Sequence, residues 1–181
     1  LASLVRHYRS TNEHVIVPLA GDFVAPSLLS SIDAGRGMID CLNAVGITHV
    51  VLGNHEDDIP AEQLRLRLKE LHATSLGTNI LHGLDLPRHL VLDVGPVKVG
   101  LIGVVMDDPA VYRGKPFGGT DLARANDAAV SEANQLVTQG CRSVVAITHQ
   151  SITDDRALAG LYPFPVIVGG HDPASGRKPG A

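Results

Sequence analysis

Residues 48–58 read THVVLGNHEDD, a short apolar run closed by a glycine and followed by five polar residues. Val50-Val51-Leu52 has the composition of a strand buried on both faces, and Gly-Asn is a common strand-ending dipeptide. Taken alone the stretch reads as a turn. Asn54 to Asp58 would be solvated loop, with Asp58 near the start of a helix that Pro60 introduces. A site is indicated only if the same pattern recurs elsewhere in the chain.

Composition narrows the choices. The chain has 181 residues, 44% hydrophobic and 19% charged, which suits one globular domain able to bury a substantial core. A net charge of -4 with scattered Lys and Arg offers no basic face, so duplex nucleic acid is not an expected partner. No apolar run approaches the roughly 18 to 20 residues that span a bilayer, and no signal-peptide pattern opens the chain. No membrane partner is expected, and localisation and oligomeric state stay open. Cys41 and Cys141 lack CxxC spacing and are expected as free, mostly buried thiols. His7, His14, His72, His82 and His89 stand among polar or chain-turning neighbours and are expected on the solvated surface.

Strand-like and helix-like segments alternate along the chain. HVIVPLA (14–20) leads to Gly21-Asp22, and a helix is expected between Ser27 and Val45 with an apolar stripe of Leu28, Leu29, Ile32, Met38, Ile39 and Leu42. Gly46 is its stop. A second helix over 61–71 would bury Leu64, Leu68 and Leu71 and turn Arg65, Arg67 and Lys69 outward. SLGTNI (75–80) is a weaker strand, and residues 90–105 form two β-rich runs around Gly95-Pro96, a hairpin. A long helix is expected from about Asp121 to Val137, capped by Thr120 or Asp121. SVVAITH (143–149), a short helix over 154–159 and PVIVGGH (165–171) follow. The pattern implies an α/β architecture with a largely parallel sheet and one antiparallel hairpin.

The four strongest apolar runs are VIVPLAGD, HVVLGNH, VVAITH and VIVGGH, and each ends in a potential metal ligand. The C-terminal ends of parallel strands line one edge of an open α/β sheet, where sites form. Asp22, Asn54, His55, His149 and His171 would therefore meet there. Each alone is an ordinary turn or surface residue; four coincidences at one topological position are harder to sustain. The mixed imidazole and oxygen donors favour Mn, Fe, Co, Ni or Zn over Ca. His55, adjacent to Asn54, cannot easily share its ligand direction and is the natural proton donor to a leaving group. Asp58 is placed to hold its imidazole. Glu56 and Asp57 keep the loop reading.

Together GD at 21–22 with Pro26-Ser27, GNHE at 53–56 with Asp58, TH at 148–149 and GGH at 169–171 resemble the calcineurin-like metallophosphoesterases. The 5′-nucleotidase branch, with an Asn of the type seen at Asn79, is the most similar pattern. The resemblance implies a four-layer α/β/β/α sandwich with mixed sheets, lacking its first strand here. It implies two divalent metal ions, with Asp22 bridging them and Asn54, His149 and His171 completing the shell of one. His55 and Asp58 match the family's His-Asp pair. The implied activity is hydrolysis of a small-molecule phosphoester, a nucleotide in the 5′-nucleotidases, by metal-bound hydroxide.

Two elements depart from the family pattern. Its Asp-x-His motif would precede Leu1, and Pro173 stands where a further ligand after His171 is usual. A single catalytic domain over 1–181 is therefore expected to be incomplete at its N-terminus and after Asp172. Two alternatives remain: a phosphoesterase for a non-nucleotide substrate, and a non-catalytic metal- or phosphate-binding module with a degraded second metal site.

Overall fold

The computed structural model describes residues 1–172, so Pro173 and the expected gap before it lie outside the described residues. Helix α1 (Ala2–Thr11), unforeseen in the sequence, buries only Val5. Strands β1 (Pro18–Ala20), β2 (His49–Val51) and β3 (Thr74–Leu76) follow, all parallel in the order β1-β2-β3. Parallel neighbours need crossovers. Helices α2 (Ser30–Asp33) and α3 (Arg36–Val45) provide the first and α4 (Ala61–Glu70) the second.

The second sheet is mixed. The expected hairpin joins β4 (His89–Val94) to β5 (Val97–Val105), antiparallel. After a short helical turn α5 (Pro116–Gly119), helix α6 (Ala125–Thr138) leads to β6 (Ser143–Gln150), and α7 (Ile152–Leu161) leads to β7 (Ile167–His171). Their order is β4-β5-β6-β7, with β5, β6 and β7 parallel. No helix among the described residues is long and apolar enough to cross a membrane.

Side-chain alternation assigns the layers. Val51, Leu76, Leu101 and Ile147 form a buried cluster between the two sheets. On the far side of the first sheet Val50 and Leu52 pack with Ile39 and Leu42 of α3 and Leu64 of α4. Beyond the second, Ile102, Val104, Val144 and Ala146 meet Ala125, Ala129, Ala133 and Leu136 of α6 and Leu158 of α7. The result is the expected α/β/β/α sandwich. Beyond β3, Thr78 and Asn79 tie the first sheet to β5: Gly103 N donates to Thr78 Oγ1 at 2.9 Å, and Asn79 Nδ2 donates to Val105 O at 2.8 Å.

Several local expectations give way to tertiary contacts. The helix expected over 27–45 breaks at Ala34 and Gly35, both left-handed, because Asp33 turns to accept Gly35 N and Gly37 N and starts α3 afresh. Leu28 (85%) and Ile32 (80%) are exposed rather than part of a buried stripe. Helix α6 begins four residues late because Leu122 bridges Ile80 and Ala123 N donates to Asn79 O, holding that segment extended. Arg67 is buried, not outward: its guanidinium reaches the Asp33 carbonyl at 3.2 Å and the Glu70 carboxylate at 2.9 Å. His89 is half-buried against the buried Glu132, and Cys41 is exposed while Cys141 is buried.

The sheets approach closely at Gly103, where an added Cβ would lie 2.6 Å from Leu76 Cβ. Gly103→Ala is expected to destabilise the protein by about 1 to 3 kcal/mol through overpacking. Gly114→Ala, with no heavy atom within 4 Å of the new Cβ, should stay within about 0.5 kcal/mol in the same urea titration.

Candidate metal centre

Strands from both sheets deliver the candidate ligands. Asp22 follows β1, Asn54 follows β2, and β6 and β7 carry His149 and His171. Because β1 and β6 belong to different sheets, the site lies at a seam between sheets rather than along one open edge. His149 Nδ1 closes the seam, donating to the Ala20 carbonyl at 2.7 Å. That carbonyl only accepts, so Nδ1 carries the proton and neutral His149 presents a bare Nε2. Gly170 passes so near Ala20 that any side chain there would overlap its carbonyl oxygen.

Glu56 holds the two ligand loops in register. It is fully buried, and one carboxylate oxygen accepts Asp22 N at 2.9 Å and Gly53 N at 2.5 Å while the other accepts Phe23 N at 2.7 Å and Val24 N at 2.8 Å. The loop reading of Glu56 is thus overturned: one side chain satisfies N–H groups from both turns. A signal for it exists in the sequence. Glu three residues after the Gly53 N-cap is the reciprocal half of a capping box. Asp57 is also engaged, accepting Phe117 N at 2.6 Å.

The structure brings together every candidate named from the sequence. Asp22, His149 and His171 each offer a ligand atom within 4.8 Å of the others. Asn54 Oδ1 lies 3.2 Å from His149 Nε2 and 3.1 Å from His171 Nδ1, and Asp22 Oδ2 lies 3.2 Å from the same His149 nitrogen. Two oxygen acceptors thus face an imidazole lone pair, an arrangement satisfied by a cation or by a proton on Nε2. The donor set suits a borderline divalent ion. Among the described residues this is the single cluster of its kind. Asp22 and His171 both take left-handed backbone angles, φ 54° and 82°, uncommon outside glycine and concentrated here at the site.

Beside the cluster stands a second unit. His55 Nδ1 lies 2.7 Å from Asp58 Oδ2, and the His55 backbone N–H donates to Asp22 Oδ1 at 3.0 Å. The 3-10 turn over Asn54–Asp58 orients both: Asn54 and His55 are successive, so their side chains diverge, while Asp58 returns to the His55 side. The other Asp58 oxygen meets Arg113 at 3.2 Å, a residue that periodicity and strand-end reasoning did not reach.

Charge is balanced locally. Burial works to raise the Asp22 carboxyl, but the His149 imidazole and the His55 N–H outweigh it and the carboxyl is held below 3.8. Burial works equally against a charged His149, yet Asp22, the Ala20 carbonyl and the charge of Glu56 raise its pKa above 6.5. Burial pushes the Glu56 carboxyl up, and its backbone N–H donors pull against that rise.

Glu56→Gln is expected to cost about 2 to 4 kcal/mol in urea unfolding, because an amide N–H then opposes backbone N–H donors that have no other acceptor. A loss below about 1 kcal/mol would mean that the loops hold without it. A raised imidazole pKa stabilises the fold below the ordinary value and loses that contribution as pH climbs through the folded one. In chelator-treated protein the thermal midpoint is therefore expected to fall as pH rises above 6.5, and His149→Gln to remove that dependence. A midpoint that rises over the same interval would contradict the Asp22–His149 pair.

No protein-family model matches the chain. Over 182 residues it is 29% identical to a snake venom 5′-nucleotidase of Gloydius brevicauda, covering 94% of this chain and 30% of that protein. The fold matches the NAD nucleotidase of Haemophilus influenzae with a TM-score of 0.85 at 22% identity, over 94% of this chain and 35% of that one. It also matches the calcineurin-like phosphoesterase YfkN of Bacillus subtilis, TM-score 0.66 at 18% identity, over 83% of this chain and 53% of that one. The chain thus spans about a third of the length of the curated relatives it matches. In sequence the chain is similar to 5′-nucleotidases, and in fold it is similar to the NAD nucleotidase and to the calcineurin-like phosphoesterase.

Proposed function

We propose that the protein hydrolyses small phosphate esters, nucleotides in the first place, in a metal-dependent reaction. The observation that carries this reading is the convergence of Asp22, Asn54, His149 and His171 on one point with the His55–Asp58 pair beside it. The names of the relatives, 5′-nucleotidase and apyrase among them, support the substrate class.

Asp22, Asn54, His149 and His171 would hold one divalent ion, with Asp22 shared toward a second. Ions held there would supply Lewis-acid activation of the phosphoryl group and of the attacking water. The chain's own residues do the rest. Asp58 accepts the Nδ1 proton of His55 and so directs Nε2 as the donor atom, and His55 delivers a proton to the departing oxygen. The His149 Nδ1 to Ala20 bond fixes that ring's tautomer and keeps its Nε2 lone pair available for a cation. Asn54 contributes a neutral oxygen, leaving net positive charge on a bound ion, which favours an anionic phosphoryl group.

A non-catalytic metal-binding module is the competing reading, favoured by the presence of a single ligand cluster among the described residues. Phosphate release from AMP, with and without Mn or Zn, separates the two. His55→Ala is expected to lower kcat by about a hundredfold to ten-thousandfold, the usual contribution of a positioned general acid, while bound metal per chain stays constant. Unchanged kcat in that variant would refute its role, and metal uptake without any turnover would favour the binding module.

A further inference from the structure

The loop between β5 and α6 carries a cation over the His55–Asp58 pair, and its construction shows that the placement is built. Tyr112 and Phe117 are both buried, their rings meet edge-on at 5.7 Å, and Tyr112 donates its hydroxyl to the Met106 carbonyl at 2.6 Å. Asp57, on the same 3-10 turn as His55, accepts Phe117 N at 2.6 Å. Phe117 is held at φ 51°, an uncommon conformation for a bulky residue, and Gly118 packs so close to Ala61 of α4 that a side chain would overlap it. Between these anchors Arg113, Gly114 and Lys115 stand exposed. Lys115 turns away to Asp121, at 3.5 Å, whereas Arg113 turns in to Asp58 Oδ1 at 3.2 Å. The base of the loop is anchored by buried contacts, and its exposed arginine is held, among the described residues, by Asp58 alone.

An ion pair between an arginine that is 76% exposed and a carboxylate that is 23% exposed is held weakly. Asp58 keeps its His55 contact through the other oxygen when the guanidinium leaves. A planar fork with several donors then stands on the leaving-group side, able to bind a phosphate bidentately.

We propose that Arg113 is a substrate contact that selects phosphoanhydrides, whose leaving group departs as a phosphate, over simple phosphate monoesters. This rests on the phosphoester-hydrolase reading above. In phosphoanhydride hydrolysis the oxygen of water bonds to the terminal phosphorus while the bond to the bridging oxygen breaks. The electron pair of that bond stays on the departing phosphate, and the protons of water go to the products and the buffer. Arg113 meets the negative charge that this departure leaves, whereas a nucleoside alcohol departing from a monoester takes its proton from His55 and offers the guanidinium no anion.

Initial phosphate release from ADP and from AMP, which share one nucleoside, tests the proposal in wild type, Arg113→Ala and Arg113→Lys. The ADP-to-AMP ratio of kcat/KM is expected to fall about tenfold in Arg113→Ala and to recover in part in Arg113→Lys, as loss of one charged contact implies. Calorimetry on metal-loaded protein, dialysed free of excess ion, reads binding directly. Inorganic pyrophosphate should bind about tenfold more weakly to Arg113→Ala, with inorganic phosphate moving by less than about twofold. An unchanged ratio, or equal losses on both nucleotides as would follow if Arg113 merely held Asp58 in place, overturns the assignment. Wild type that releases phosphate from neither nucleotide overturns the hydrolase reading instead; the pyrophosphate and phosphate affinities then still decide whether Arg113 selects the longer anion.

Discussion

A single buried carboxylate governs the geometry of this site. Glu56 accepts four backbone N–H groups, from Asp22, Phe23, Val24 and Gly53, and so joins the turn after β1 to the turn after β2. Strands only three residues long cannot by themselves fix where the following side chains point. The Glu56 bonds do, since moving either turn would take buried N–H groups away from their acceptor. Asp22 can therefore sit in a left-handed conformation and Asn54 can open a 3-10 turn, each held by the same anchor.

The second constraint is the seam between the sheets. The candidate ligands come from the first sheet through Asp22 and Asn54 and from the second through His149 and His171, and the apolar layer of Val51, Leu76, Leu101 and Ile147 lies between the sheets. Close approach leaves no room for a side chain at Gly53 against Asp22, Gly103 against Leu76 or Gly170 against Ala20. A cation at the cluster would neutralise the lone pairs that face one another there and link the sheets directly, and its binding would then be coupled to the packing of the two halves.

Much of the fold was legible in the sequence because its signals are local. Apolar runs ending at Gly-Asp, Gly-Asn, Thr-His and Gly-Gly-His marked four strand ends, and the hairpin at Gly95 and the stop at Gly46 are turn chemistry. The misreadings share one cause. Arg67 and Glu56 look like solvated charges until partners distant in sequence are in place: the Asp33 carbonyl for one, the Asp22–Val24 backbone for the other. The late start of α6 has the same origin, because Leu122 and Ala123 pair with Ile80 and Asn79 instead of entering the helix.

The sequence by itself determined the inventory and its order: alternating strands and helices, the donor residues at the strand ends, and a His with an Asp three residues on. Those properties follow from periodicity and residue chemistry within a few positions. Tertiary structure alone decided that the strands divide into two sheets, that the candidate ligands meet at their seam, that Glu56 ties their loops together, and that Arg113 stands against Asp58. Each of these depends on contacts between segments remote in sequence, where burial turns an ordinary charged side chain into an anchor and leaves another exposed beside the His55–Asp58 pair.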